Sequence, residues 1–369
     1  MRLILLFVSL IWTLEVFALE YEMTSIRGLE ATGLYKDFRS KVVADEVRAY
    51  EPRFELFSDG IRKRRFIFLP QGQAIVAIDL ELWSYPNGTK IWKEFSLQRG
   101  SDLIPIETRY MEKQDGIWRF GTYVWSASQD SADLWGSESG TLPINVEIPG
   151  ANGVSHSVPS FGQCVLCHDQ GSKSPAVKSG EPLLGFTSFQ LPRTFIEGLY
   201  SNQTLVGALI PWQRHRTYAL DTEERDVIGY LHANCGHCHN QRRTNLIPAA
   251  PDDHFRLNYS IETHSNRNAM HLIQQIGRPI VNRDIGLPNV DASTRLISPG
   301  HVDKSMIYLR MKHTEGIYRM PLLGISGSDD AFINGPLRRW IQRLSTVEPF
   351  SNQIFSKLPI KMTINNAGE

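Results

Sequence analysis

The nine residues Leu231–His239 read LHANCGHCH and set Cys235, Cys238 and His239 in the spacing C-x-x-C-H. A second copy lies upstream, where QCVLCH sets Cys164, Cys167 and His168 in the same spacing. The chain has 4 cysteines, and the two boxes hold all of them. On a helix, positions i, i+3 and i+4 share one face, so each box presents two thiols and an imidazole together. C-x-x-C-H is the attachment motif of c-type haem. The thiols bond the porphyrin vinyl groups while the histidine nitrogen reaches the iron from the same side. Four thiols could instead hold one zinc ion or pair as disulfides. The two pairs are distant in the chain, however, and neither alternative needs a histidine after each pair. Two covalent haem c groups are therefore the expected cofactors, with His168 and His239 as iron ligands.

Outward from the second box, Asp221-Thr222 precede Glu223, Glu224, Val227, Ile228 and Leu231. Acids in a first turn and apolar residues three and four apart predict a helix over Thr222–Ala233 that runs into Cys235. Phe186–Tyr200 also reads as helix, Asp169–Gly180 as loop, and residues 150–163 as a polar connection leading to the first box. Beyond the second box, Lys304–Lys312 and Ala331–Leu344 have helical spacing, and Asp329-Asp330 suit the positive N-terminus of the latter. Residues 351–369 read as a tail.

Residues 54–149 differ in character. Phe66–Leu69, Ala74–Tyr85, Thr89–Leu97, Ile104–Met111 and Trp118–Trp125 are rich in β-branched and aromatic residues. Turn signals at Pro70–Gly72, Tyr85–Gly88, Gln98–Ser101 and Asp115-Gly116 separate them. In Trp118–Trp125 both alternating faces are partly apolar, which fits strands packed on two sides. An antiparallel β domain, sandwich or barrel, is expected here. The basic run Arg62–Arg65 reads as a solvated strand edge or face. Residues 19–53 read as a lead segment, with Leu29–Arg48 compatible with helix. The fold class is thus α+β and multi-domain: an antiparallel β domain, followed by a mainly α-helical part with a first haem-binding region at 150–230 and a second haem domain at 231–350.

The chain has 369 residues, 41% apolar and 21% charged, ordinary values for a globular protein with ample core material. Lysine plus arginine equals aspartate plus glutamate at 39 each, so net charge supplies no basic field for nucleic acid. At the start, Arg2, the apolar run Leu3–Leu14 and Val16-Phe17-Ala18 have the pattern of a signal peptide over residues 1–18. Periplasmic export is expected, which suits covalent haem. No nucleophile elbow, Walker loop, dinucleotide fingerprint or HExxH is present.

Further motifs resemble a family of exported bacterial diheme c-type cytochromes whose β region precedes two haem boxes. They are Phe57-Ser58-Asp59-Gly60 with Lys63-Arg64-Arg65, Leu69-Pro70, Tyr85–Thr89, Ile106-Glu107-Thr108-Arg109, Val158-Pro159-Ser160, Leu184-Gly185-Phe186 with Gln190-Leu191, Ser305–Met311 and Arg319–Gly324. The similarity runs over most of the mature chain. It implies haem binding and electron transfer, and no particular substrate. Arg319-Met320-Pro321-Leu322-Leu323-Gly324 resembles the methionine loop of class I cytochromes c, which implies Met320 as sixth ligand of the second haem; Met306 and Met311 are competitors. His/Met ligation raises a haem potential. For the first haem, no methionine lies between Met111 and Met270. His215, His232, His156 and His254 are candidates, and an open sixth position is the alternative.

The functional expectation is a periplasmic carrier of single electrons between redox partners. The partner would be a redox protein, either in solution or in a membrane-associated electron-transfer complex; no small-molecule substrate is identified. The alternative is a haem enzyme, peroxidase-like or an oxidoreductase subunit, with one open iron. A third reading makes it a binding module whose cysteines hold another metal.

Overall fold

A computed structural model describes residues 21–77, 83–135, 144–147, 155–168, 183–207, 219–240, 256–259, 271–280, 287, 289–313, 319–321, 325 and 327–344. The expected signal peptide and C-terminal tail lie outside these residues. So do His215, His254 and the loop expected at Asp169–Gly180.

Fourteen strands are described. The first seven are β1 (Tyr21–Met23), β2 (Tyr35–Asp37), β3 (Val42–Val43), β4 (Arg48–Tyr50), β5 (Arg62–Phe68), β6 (Ile75–Ala77) and β7 (Trp83–Ser84). The rest are β8 (Lys90–Arg99), β9 (Asp102–Gln114), β10 (Ile117–Trp125), β11 (Ala132–Trp135), β12 (Ile144–Glu147), β13 (Ser155–Val158) and β14 (Leu205–Gly207). The helices are α1 (Phe161–His168), α2 (Arg193–Ser201), α3 (Thr222–Leu231), α4 (His271–Gln274), α5 (Met306–Lys312), α6 (Asp330–Phe332) and α7 (Arg338–Arg343). The architecture is mixed α+β, with antiparallel sheet dominating the N-terminal half.

Seven strands make the main sheet, in the order β1-β10-β9-β8-β5-β4, with β11 also on β10. Its centre is an antiparallel meander closed by tight turns. Asp115 and Gly116, both at positive φ, join β9 to β10. Pro105 lacks the N–H that a ladder needs, and it falls where the β8–β9 register shifts, opposite Ser96. Among the described residues the sheet does not close on itself, so it is an open sheet and not a barrel.

Each face has its own core. On one, the cross-strand row Ile67–Ile91–Met111–Phe120 packs with Trp118, Phe186 and Leu199, and partly buried Cys164 and Phe161 lie against it. On the other, Phe66, Trp92, Tyr110, Tyr123 and Trp125 pack with Leu29, Leu34 and Tyr35. Two-sided packing is what the alternation in Trp118–Trp125 predicts. Gly121 stands where β1 and β11 meet β10. A Cβ there would lie 2.6 Å from the Thr24 side chain and 3.1 Å from that of Leu134.

Several expectations are corrected. Leu29–Arg48 is not helical beyond one 3-10 turn at Leu29–Thr32; it forms β2, β3 and the start of β4. The lead segment thus belongs to the β domain, through β1 on β10 and β4 on β5. The basic run is not a solvated edge. It opens β5, an interior strand, where Arg64 binds fully buried Glu94 at 2.5 and 2.9 Å. Tyr35 donates to the same carboxylate. Helix expected from Phe186 begins only at Arg193, because Pro192 caps it and turns precede it. The helix expected over Ala331–Leu344 is interrupted at Ile333–Leu337, where Gly335 leaves helical geometry ahead of Pro336.

The C-terminal half has a separate core, in which Val227, Leu231, Cys235, Leu257, Ile307, Met311, Leu337 and Trp340 pack together. Asp221 caps α3 by accepting from the Glu224 N–H at 2.8 Å. Buried Glu224 accepts from the Leu220 N–H at 2.6 Å and from the Trp340 indole at 3.1 Å. Arg343 meets Asp221 at 2.6 Å, and Arg339 meets Glu223 at 2.6 Å. These bonds tie the start of α3 to α7 and so place the end of α3, where the second box begins.

Candidate haem-attachment sites

The first box is α1 itself. Gln163 and Cys164 N–H groups both donate to Ser160 O at 3.1 Å, and the Gln163 side chain returns a bond to Ser160 N–H at 3.2 Å. That opens a helix in which Cys164, Cys167 and His168 fall on one face, as their spacing requires. Phe120 of the sheet receives this face: its ring lies 6.3 Å from Phe161 and 5.5 Å from His168. The Cys164 thiol lies beside Thr122 and has Arg109 and Glu107 as charged neighbours. Burial pushes this thiol up to about 11, against the lowering effect of Arg109. A small, open cleft lies beside Cys164, bordered by Met23, Phe120, Thr122, Trp135 and Phe161.

The second box follows α3 through a wider turn, His232–Gly236. Helical bonding continues into it: Cys238 and His239 N–H groups donate to Cys235 O at 3.0 and 2.8 Å. Asn240 donates to the Gly236 and His237 carbonyls at 2.8 and 3.0 Å, closing the turn. Leu257 N–H donates to His239 O at 2.8 Å, so residues 256–259 lie against the box. Gly236 is required by this approach, since a Cβ there would lie 2.9 Å from the Asn258 backbone. Cys235 is buried, and burial pushes its thiol up to about 12.

The donor sets fit the expected group. Each box places two thiols and an imidazole on one helical or near-helical turn beside aromatic or aliphatic walls. No disulfide joins any of the 4 cysteines. The two pairs sit against different cores, Cys164 on the sheet and Cys235 in the C-terminal core, so they do not meet in one four-thiol centre. Among the described residues no three His, Cys, Asp or Glu side chains converge into a ready metal-holding cluster, at the boxes or away from them.

The other candidates are distributed as follows. Met320 follows α5, where its N–H donates to Arg310 O at 3.0 Å. Met311 is buried in the same core as Cys235, whereas Met306 belongs to a satellite cluster with Ile280 and Leu287. His232 packs edge-on to Phe189, and its Nδ1 accepts from the Tyr259 N–H at 2.9 Å. Burial lowers it to about 4, so it is a neutral, engaged imidazole. His156 is buried with its Nε2 on Glu107.

Sequence reading missed Thr122, Met23 and the Glu107–Arg109 pair at the first box, and named His156 only as a candidate iron ligand. Arg109 binds Glu107 through Nε at 2.5 Å and a terminal nitrogen at 3.2 Å. A signal existed, because Ile106–Arg109 is one of the motifs that carry the family resemblance.

A second tertiary link joins the boxes. Phe57 N–H donates to the Asn234 side chain at 2.6 Å, and Asn234 donates to Glu55 O at 3.1 Å. Glu55 in turn lies 3.4 Å from both Lys63 and Arg65 on β5. Both boxes are therefore attached to the same sheet face, one at β10 and the other through Glu55 at β5. Among the described residues no helix is long and apolar enough to cross a membrane. No family model, no curated protein and no solved structure matches the chain.

Proposed function

We propose that the chain is an exported diheme c-type cytochrome that carries single electrons between redox partners. The observation that carries this reading is the pair of C-x-x-C-H boxes, whose cysteines are uncommitted to disulfides and whose turns lie against one sheet. Cys164 and Cys167 would tether the first haem and His168 would hold its iron; Cys235, Cys238 and His239 would do the same for the second. Met320 is the proposed sixth ligand of the second haem, in a cytochrome c-like region over 231–350. When bound, haem c supplies one-electron exchange at iron; ligand identity, burial and charge from the chain set its potential.

The second reading, a haem enzyme with an open first iron, has one observation in its favour. Arg109, Glu107 and His156 provide charged and titratable groups beside Cys164.

The test is purification from a host competent in haem attachment. Alkaline pyridine with reductant should report two c-type haems per chain, and the denatured polypeptide mass should include both. A colourless protein of unmodified mass would end both haem readings. Two low-spin irons inert to cyanide and peroxide are expected for the carrier; rapid ligand uptake at one iron would decide for the enzyme.

A further inference from the structure

The sheet face that receives the first box holds a row of cations. Arg65, Lys93 and Arg109 are cross-strand partners on β5, β8 and β9, and Thr122 on β10 completes the row. Cys164 lies beside Thr122, so the row starts at a haem-attachment thiol and runs across the sheet from it. Strands lie about 4.8 Å apart, which puts Lys93 about 10 Å and Arg65 about 14 Å from the Thr122 end.

Cations are seldom packed side by side without anions between them. Glu107 is shared by Arg109 and His156, and Glu55 is shared by Lys63 and Arg65. Among the described residues Lys93 has no carboxylate within ion-pair distance; its ammonium lies 4.9 Å from the Phe95 ring centre. Burial, with Arg65, Arg109 and Lys63 as neighbours, holds its pKa well below the usual lysine value, and the more weakly felt Glu107 offsets this only in part. Within the row, Lys93 is therefore the cation without a carboxylate of its own, set between two arginines whose carboxylates are shared.

We propose that Arg65, Lys93 and Arg109 form a carboxylate-binding row, filled by the propionates of the haem attached at Cys164 and Cys167. This rests on the haem reading above. Propionates leave a porphyrin at the edge opposite its vinyl groups. With the vinyl edge tethered at Cys164, that polar edge falls one porphyrin width away, the scale of the Thr122-to-Lys93 separation. Carboxylates in a water-poor site need cationic donors, and guanidinium supplies bidentate ones. A free dicarboxylate would satisfy the same row, so the experiment separates the two sources.

Full-length holoprotein is compared with Lys93→Met, Lys93→Arg and the exposed control Arg62→Gln. Haem content is read first with pyridine. Loss of haem in the wild-type chain defeats the electron-transfer reading, and the row is then judged by succinate calorimetry alone. With two haems present, each midpoint potential is measured with and without succinate. Propionate occupancy predicts a lower first-haem potential in Lys93→Met, because an uncompensated carboxylate favours ferric iron. Lys93→Arg should restore the potential, Arg62→Gln should leave it unchanged, and succinate should have no effect. Succinate binding that shifts the wild-type potential and vanishes in Lys93→Met would overturn the assignment to propionate. A first-haem potential indifferent to Lys93→Met, with no succinate binding, would overturn the row altogether.

Discussion

Glu94 shows how single residues hold the sheet. It has no solvent exposure and accepts from Arg64, Tyr35 and Ser96, so its charge is matched by donors on three sides. His232 poses the opposite problem. Its Nδ1 is already an acceptor, and burial lowers it from 6.5 to about 4. As pH falls through 6.5 the unfolded chain takes up a proton that the folded chain refuses until about 4. Stability should therefore decline across that window, by about 1.4 kcal/mol per pH unit at the steepest. Urea unfolding at pH 7 and pH 5 should show this decline in the wild type and a shallower one in His232→Gln. Equal slopes in both would remove His232 as the cause.

At the scale of elements, the segment from Arg53 to Asp59 is the joint between the β sheet and the C-terminal core. Arg53 N–H donates to Gln190 O at 2.6 Å, Phe54 stacks on Phe189 with ring centres 5.4 Å apart, and Asp59 accepts from Gly327 N–H at 3.0 Å. Phe54 also presses on α3 at Gly229, where an added Cβ would lie 2.2 Å from its ring. Gly229→Ala should cost about 1–3 kcal/mol by forcing that ring away. Combined with Phe54→Ala, the loss should fall short of the sum of the two single losses, because the clash is then absent. Strict additivity in urea midpoints would mean that the contact does not limit the packing of α3.

For the whole molecule, the main sheet is the common support of both C-x-x-C-H boxes. The first leans on β10, and the second reaches β5 through Asn234 and Glu55. Three strand spacings separate those points, about 14 Å. Haems attached so close would sense each other's charge through a water-poor interior. Removing the first haem with Cys164→Ala and Cys167→Ala should shift the midpoint potential of the second. An unmoved potential in a folded single-haem protein would show that the two centres act independently.

Much of this was legible in the residues. The turns at Asn87-Gly88 and Asp115-Gly116, the two-faced strand Trp118–Trp125 and the Asp221 cap depend on local chemistry, and each appears as expected. The basic run Arg62–Arg65 was misread because charge suggests solvent until a partner is known. Its partners, Glu94 and Glu55, reach it only through strand pairing and a turn. Leu29–Arg48 departs from helix because β2 and β3 pair with each other as a short two-stranded ribbon, and β4 is held by β5 of the main sheet.

Sequence alone determined the chemistry on offer: two C-x-x-C-H boxes, because spacing along a helix dictates which side chains share a face. It also determined the alternation of the central strands. Tertiary structure decided that both boxes attach to one sheet face, that Thr122 and Arg109 stand beside Cys164, and that Lys93 lies between two arginines. Those neighbours come from different strands, and long-range strand register, unlike helical spacing, is set only when the cores on both faces are buried together.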